Sequence, residues 1–144
     1  MEENLVTLKI DDKEVKVKQG TTILQAAKQA GIDIPTLCFL KDINEVGDCR
    51  MCIVEVDGRK GFATSCIQKA EEGMVVHTHS PAVMEARRVI LDLILSNHHR
   101  DCLTCSRNGN CELQALAMKF NVQHVEFEGE MTEHKVDDKS PAIM

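Results

Sequence analysis

The stretch Gly47-Asp-Cys-Arg-Met-Cys-Ile-Val-Glu-Val56 places two cysteines directly before a short run of β-branched residues. The run Ile53-Val-Glu-Val56 is followed by Asp57-Gly58, a typical turn, and is therefore predicted to be a strand. Upstream, the residues from Cys38 to Asp48 carry no apolar periodicity, which predicts a long loop. The fold is therefore expected to contain a sheet that follows a cysteine-bearing loop.

The residues on both sides of this loop predict a small α+β fold. Leu5–Ile10 and Val15-Lys-Val17 alternate apolar and polar residues around the turn-forming pair Asp11-Asp12, which predicts a hairpin. Thr22 is a typical N-cap for a short amphipathic helix that ends at Gly31. Such a helix must bury its apolar face, and a mixed sheet is the simplest partner. Further strands are predicted at Phe62–Thr64 and Val75-Val76.

The second half of the chain is predicted to be mainly helical. Ser80-Pro81 combines an N-cap with proline at the first helical position, and the helix is expected to end near Ser96-Asn97. A second cysteine-bearing loop follows, then a helix over residues 112–120 and a strand over residues 122–128. The apolar face of the first of these helices is predicted to consist of Val83, Ala86, Val89, Ile90, Leu93 and Ile94.

Composition excludes several classes of function. The 144 residues include 23 acidic and 17 basic side chains, and the net charge of −6 argues against binding to nucleic acid or to anionic membranes. The most apolar stretch, residues 89–95, is too short to span a bilayer. Residues 1–4 are acidic and lack the features of a signal peptide, and seven cysteines without such a signal indicate a reducing compartment. A cytoplasmic location is therefore expected.

Four cysteines form a first candidate metal site with the spacing C-x10-C-x2-C-x13-C: Cys38, Cys49, Cys52 and Cys66. A loop can wrap a cluster and direct backbone N–H groups at its sulfurs, and this spacing favours a 2Fe-2S cluster. Reduced core cysteines are a weaker alternative, because the loop lacks apolar periodicity. Zinc is a stronger alternative, but a zinc ribbon usually has two C-x2-C pairs and this set has one.

A second candidate site lies in the loop after the long helix. His98, Cys102, Cys105 and Cys111 have the spacing H-x3-C-x2-C-x5-C. Two sites of four ligands account for all seven cysteines, provided that one histidine completes the second site. His99 is adjacent to His98, and the spacing alone leaves both histidines open as the fourth ligand.

The two spacings in this order resemble the N-terminal region of iron-only hydrogenases and of the large iron-sulfur subunit of respiratory complex I, also found in some NAD-dependent formate dehydrogenases. The resemblance implies a ferredoxin-like β-grasp domain over residues 1–78 and a helical domain over residues 79–144. It implies a 2Fe-2S cluster in the first and a 4Fe-4S cluster in the second. The family places its histidine ligand four residues before the first cysteine of the second set, which selects His98.

The resemblance implies electron transfer without a catalytic site. No cysteine remains for a hydrogen-activating cluster, and no G-x-G-x-x-G segment is present to bind a nicotinamide. The implied partners are a flavoprotein subunit that oxidises NADH or NADPH, the catalytic subunit of a hydrogenase or formate dehydrogenase, and ferredoxin. Two alternatives are an N-terminal fragment of a larger iron-only hydrogenase, since the family continues beyond a segment like residues 139–143, and a zinc-binding interaction module.

Overall fold

The chain begins with a hairpin in the computed structural model, which describes residues 4–129. Strands β1 (Leu5–Ile10) and β2 (Lys13–Lys18) pair antiparallel. Between them, Asp11 and Asp12 have positive φ angles of 44° and 69°. Aspartate adopts this left-handed conformation more readily than most residues with a side chain. The predicted hairpin is confirmed, and β2 is longer than the alternating pattern indicated.

Three further strands complete a mixed sheet. They are β3 (Ile53–Val56), β4 (Phe62–Thr64) and β5 (Val75–His77). The strand order is β2-β1-β5-β3-β4, in which β5 lies parallel to β1 and antiparallel to β3. The parallel pair at the centre places the second half of the sheet next to the hairpin. The predicted α+β class is therefore confirmed.

Helix α1 (Ile23–Gln29) packs its apolar residues against the sheet. Thr22 and Gln25 form a reciprocal capping box, in which each side chain accepts a hydrogen bond from the other residue's N–H. Gly31 has a φ of 71°, as expected for the glycine after a helix. The resulting first core contains Leu8, Ile10, Ile23, Ala26, Val54 and Val76, together with Cys52 and Cys66.

Helices α2 (Pro81–Ser96) and α3 (Glu112–Lys119) form a second core, which consists of Met51, Leu91, Leu116 and Phe120. The Ser80 hydroxyl accepts a hydrogen bond from the Val83 N–H and caps α2, as predicted. Met51 lies between Cys49 and Cys52, so the second core begins inside the loop of the first cysteine set. No helix within residues 4–129 has the length and apolar content that a membrane crossing requires.

The predicted apolar face of α2 is partly wrong. Val89 and Leu93 are 40% and 48% exposed. The helix instead buries two charged side chains, each of which makes a hydrogen bond to the backbone of another segment: Arg87 donates to the Ile53 carbonyl, and the Asp92 carboxylate accepts from the Glu126 N–H. The buried residues of α2 are Val83, Arg87, Leu91, Asp92 and Ser96.

The strand predicted over residues 122–128 is not formed. This segment is irregular, and side chains of α2 satisfy part of the backbone there. The Glu126 N–H lies 3.0 and 3.2 Å from the two carboxylate oxygens of Asp92. Arg88 Nε donates to the carbonyl of Phe120 at 3.0 Å, just before the segment begins. The prediction of a strand was therefore wrong, because side chains of α2, and not a neighbouring strand, bond to the backbone here.

Candidate metal centres

The loop after α1 is held in shape by its own backbone and by β4. The Asn44 side-chain amide donates to the carbonyl of Cys38 at 2.8 Å. Gly47 has a φ of 72°, and a Cβ atom there would lie 3.2 Å from side-chain carbons of Thr64 and Ile67. Glycine therefore meets two requirements at this position: a left-handed backbone and a close approach to neighbouring side chains. This loop geometry places Cys49 next to Cys38.

Two backbone amides are directed at cysteine sulfurs, as the loop predicted. The Cys49 N–H lies 3.5 Å from Cys38 Sγ, and the Met51 N–H lies 3.5 Å from Cys49 Sγ. Burial acts to raise the pKa of the Cys38 thiol, but hydrogen bonds from Cys49 outweigh burial, and the pKa is lowered. These donors favour the thiolate, which is the form that binds metals.

The four thiols of the first set form two hydrogen-bonded pairs, Cys38 with Cys49 and Cys52 with Cys66. Burial is the main cause that raises the pKa of Cys66 to about 12, and a hydrogen bond shared with Cys52 raises it further. Burial likewise raises the pKa of Cys49, which shares a hydrogen bond with Cys38. The charges of Cys38 and Cys49 also reach Cys66. Four thiolates this close repel one another unless a positive centre lies among them.

The donor set fits a 2Fe-2S cluster, which takes four cysteine thiolates. Cys52 and Cys66 are each 2% exposed and belong to the first core, whereas Cys38 and Cys49 are half-buried. The Ser65 hydroxyl and N–H both donate to the carbonyl of Cys52, which holds the inner pair in place. Within residues 4–129, no three Cys, His, Asp or Glu side chains are grouped so that a single metal ion would bind them all.

The second set lies in an exposed loop. Cys102 and Cys105 are exposed, and Cys111 is half-buried at the N-cap of α3 without a side-chain capping bond. Cys105 Sγ accepts a hydrogen bond from the Arg107 N–H at 3.4 Å, the same kind of amide contact as in the first set. His98 and its neighbour His99 are both exposed. The described structure does not gather these residues into one group, so their role stays a prediction.

Both ends of the second loop are anchored. The Gln114 side chain accepts from the Gly109 N–H at 3.0 Å and donates to Asn108 at 3.1 Å, which ties the loop to α3. At the other end, Gly129 packs on the end of α2, where an added Cβ would lie 2.6 Å from the Ser96 carbonyl oxygen. Gly129 therefore lies against the residues that directly precede His98.

The other described histidines lie at the surface. His77 Nε2 lies 2.9 Å from Asp57 Oδ1, and His79 Nδ1 lies 3.6 Å from Asp11 Oδ2. His124 is exposed. His134 lies outside the described residues.

Arg87 is a charged residue next to the first cysteine set that the sequence pattern did not reveal. Its side chain is fully buried, and the charge of Cys52 acts on it. One signal was present: Val83, Arg87 and Leu91 follow one another at intervals of four, which places them on one face of a helix. A charged residue in the middle of such a face requires a partner inside the protein.

Comparison with known families assigns both halves of the chain. Residues 3–81 match the 2Fe-2S iron-sulfur cluster binding domain. Residues 87–126 match the iron-sulfur binding region of NADH-ubiquinone oxidoreductase-G, which is described as a 4Fe-4S region. The cofactors are therefore one 2Fe-2S and one 4Fe-4S cluster.

Individual relatives agree with this assignment. The NADP-reducing hydrogenase subunit HndD of Solidesulfovibrio fructosivorans is 43% identical over 98% of this chain and 25% of its own length. The mitochondrial NADH-ubiquinone oxidoreductase 78 kDa subunit of Neurospora crassa is 36% identical over 94% of this chain and 18% of its own length. The chain thus spans a quarter or less of these curated relatives.

A solved structure extends the likeness to three dimensions. A chain of an NAD+-reducing [NiFe]-hydrogenase in the H2-reduced state superposes with a TM-score of 0.85 at 31% identity, over 94% of this chain and 57% of that one. The two sequence matches, over residues 3–81 and 87–126, include both cysteine sets. The chain belongs to the family of 2Fe-2S cluster binding domains, and it continues into a 4Fe-4S binding region of the NADH-ubiquinone oxidoreductase-G kind.

Proposed function

We propose that this chain relays single electrons between its 2Fe-2S and 4Fe-4S clusters within a larger oxidoreductase. The observation that carries the proposal is the pairing of four thiols, with amide donors on two sulfurs, in a domain of a 2Fe-2S binding family. When bound, such clusters accept and release one electron at a time. The chain's contribution is to hold them at fixed places, to exclude water and to set their potentials.

For the first cluster, the proposed ligands fall into an inner and an outer pair. Cys52 and Cys66, inside the first core, and Cys38 and Cys49, nearer the surface, would together supply the four thiolates that hold the two irons. The Cys49 and Met51 N–H groups donate to the outer sulfurs. Hydrogen bonds to sulfur stabilise the more negative, reduced state and so raise the potential.

For the second cluster, the proposed ligands are His98, Cys102, Cys105 and Cys111. Three thiols and one imidazole within a single exposed loop suit a 4Fe-4S cluster near the surface, where a partner can approach. The neutral imidazole leaves the cluster less negative than four thiolates would, so its potential is expected to be higher than that of an all-cysteine analogue. Electrons would then move between the buried first cluster and this more exposed one.

The proposed division at residue 78 separates the two cluster domains along the chain. The first core draws on residues before this point, whereas the helices that flank the second cysteine set follow it. Met51 is an exception, because it belongs to the first half in sequence and to the second core in space. The two domains are therefore proposed to share one packed boundary.

Metal analysis after anaerobic purification tests the proposal against a zinc-binding module. We expect six irons and six sulfides per chain, the content of the two clusters together. Paramagnetic resonance of the reduced protein is expected to show two distinct signals of equal intensity, one for each cluster. Stoichiometric zinc without sulfide would contradict the proposal.

We propose the partners that the sequence resemblance implies: a flavoprotein subunit that oxidises NADH or NADPH, and the catalytic subunit of a hydrogenase or formate dehydrogenase, with ferredoxin as a further electron carrier. Two relatives are named as an NADP-reducing hydrogenase subunit and an NADH-ubiquinone oxidoreductase subunit. Purification of the native complex with identification of its subunits tests this. A complex without a flavin or a hydrogen- or formate-oxidising subunit would contradict these partners.

A further inference from the structure

Arg87 is a buried cation beside the first cysteine set. Its side chain is 0% exposed and is the largest fully buried one within residues 4–129. Nη2 donates to the carbonyl of Ile53 at 2.8 Å, and the Phe120 ring centre lies 6.0 Å from the guanidinium carbon. Nε and Nη1 have no hydrogen-bond partner among the described residues. A guanidinium has five N–H donors, so most of its capacity is unused.

A charge in this position needs a counter-charge. Burial lowers the pKa of Arg87 to about 10, so the side chain keeps its proton at neutral pH. An uncompensated buried charge destabilises a protein strongly, and natural structures pair such charges almost without exception. Its weak contact with the Phe120 ring replaces little of the lost hydration.

Three anionic groups act on Arg87, in the order Cys52, Asp11 and Asp33. Two of them already have partners of their own. The Asp11 carboxylate accepts from the N–H and hydroxyl of Thr78. The Asp33 carboxylate pairs with Lys119 at 3.1 Å. Cys52, the residue before Ile53, remains, and as a cluster ligand it would carry the negative counter-charge that Arg87 lacks.

We propose that Arg87 is a positioning residue of the 2Fe-2S site whose buried positive charge balances the cluster held by Cys52 and raises its potential. The inference rests on the proposed function of the first cysteine set. With four thiolates, an oxidised 2Fe-2S cluster carries about two negative charges and a reduced one about three. Reduction adds one electron and breaks no bond, so the nearby cation stabilises the reduced state more than the oxidised state.

The hydrogen bond to the Ile53 carbonyl also gives Arg87 a structural role. It joins α2, which leads to the second cysteine set, to the first residue of β3, which directly follows Cys52. The charge balance of the first cluster therefore also holds α2 against the sheet. Loss of the cluster is expected to loosen this contact, because the guanidinium then stays buried without a counter-charge.

The test compares Arg87→Gln with Arg87→Lys in the full chain carrying both clusters. The midpoint potential of each cluster is followed by paramagnetic resonance during a redox titration. Glutamine removes the charge, and the equilibrium constant for one-electron reduction of the 2Fe-2S cluster is expected to fall about tenfold, which corresponds to about 59 mV. Lysine keeps the charge and is expected to recover most of that loss.

Arg88→Gln is the matched control, because it removes a positive charge from the next position of α2, where the side chain is exposed and donates to the Phe120 carbonyl and not to β3. It is expected to leave the potential of the 2Fe-2S cluster unchanged. The 4Fe-4S cluster of each variant serves as an internal reference. A 2Fe-2S potential in Arg87→Gln equal to that of Arg88→Gln would overturn the proposal. Absence of any 2Fe-2S signal from the unaltered chain would instead overturn the proposed function.

If Arg87→Gln fails to hold its clusters, a second neutral variant still tests whether the positive charge is required. Arg87→Met then provides a neutral side chain of similar length that packs without a charge. Cluster loss in both neutral variants, with retention in Arg87→Lys, supports the charge requirement. Cluster loss in all three variants overturns it, because the shape of arginine and not its charge would then be what matters. Thermal unfolding with and without clusters gives a second readout: removal of the clusters is expected to destabilise the unaltered chain more than Arg87→Gln.

Discussion

Asp11 combines two roles at the residue scale: it forms the turn after β1 and accepts hydrogen bonds from Thr78. The Thr78 N–H lies 2.7 Å from its carboxylate. Burial acts to raise the pKa of Asp11, but the bonds from Thr78 and His79 outweigh it and the pKa is lowered. The ionised carboxylate therefore stabilises the fold above the ordinary aspartate range, and this contribution is lost as the pH falls through the lowered pKa.

The substitution Asp11→Asn tests this contribution, because asparagine also tolerates a positive φ. We expect a loss of about 1 kcal/mol in the free energy of unfolding at pH 7, small because the carboxylate is partly solvated. The difference from the unaltered chain should shrink below about pH 4 as the native carboxylate takes up a proton. Urea unfolding of the cluster-free chain, followed by circular dichroism, measures both. A difference that is constant down to about pH 2 would contradict this explanation.

The identity of the histidine ligand in the second set is also a question of single residues. In His98→Cys, a thiolate replaces a neutral imidazole, so we expect the equilibrium constant for reduction of the 4Fe-4S cluster to fall by about tenfold or more, or about 59 mV. The potential of the 2Fe-2S cluster should not move. Paramagnetic resonance during a redox titration measures both potentials.

His99→Ala is the matched control for this prediction, since His99 is adjacent and equally exposed. We expect it to keep both clusters at their original potentials. If His99→Ala lost the 4Fe-4S signal while His98→Cys retained an unchanged potential, His99 would be the ligand. The spacing of the second set alone is compatible with either histidine as the ligand.

At the scale of secondary structure elements, the sequence predicted those whose determinants are local. The hairpin, α1 and β3 depend on alternation, caps and turns within a few residues, and all three are confirmed. The face of α2 was mispredicted because Arg87 and Asp92 find partners 34 residues away, at Ile53 and Glu126. Apolar periodicity carries no information about such partners.

The same distinction applies to the candidate site. The first cysteine set is proposed from its spacing and its loop; its thiols act on one another in the structure, and their role as ligands stays a prediction. The contribution of Arg87 could not be predicted, because it depends on how α2 packs against β3. The second set remains a prediction, since its donors lie within one exposed loop and no packed element among the described residues gathers them.

The segment after α3 depends on Asp92, which accepts two contacts from the Glu126 N–H. In Asp92→Ala this amide loses its partner, and we expect the free energy of unfolding to fall by about 1–3 kcal/mol. Hydrogen exchange at the Glu126 amide should become faster, because the segment is held there by a side chain and not by a strand. Glu85→Ala, on an exposed part of α2, should change neither quantity and serves as the control.

At the scale of the whole molecule, the two cluster domains share structure that the chain order does not suggest. Met51 is fully buried in the second core, although it lies between two proposed ligands of the first cluster. Arg87, from the second half of the chain, donates to β3 of the first half. The proposed boundary at residue 78 is therefore one across which the packing continues, and each cluster is expected to stabilise the other half of the protein.

This shared packing predicts that residues 1–78 alone hold the 2Fe-2S cluster less firmly than the full chain does. The truncated chain lacks α2 and α3, so Met51 becomes exposed and the Ile53 carbonyl loses the Arg87 donor.

In the full chain, Met51→Ala should lower the free energy of unfolding by about 2–5 kcal/mol, the cost of emptying a packed site. Met118→Ala is the control, because Met118 lies on α3 and is 77% exposed. Decay of the visible cluster absorption in air should be fastest for the truncated chain, intermediate for Met51→Ala and unchanged for Met118→Ala. Equal decay in the truncated and full chains would mean that the first domain stabilises its cluster alone, and that the contacts of Met51 and Arg87 hold the helices to the sheet without protecting the iron.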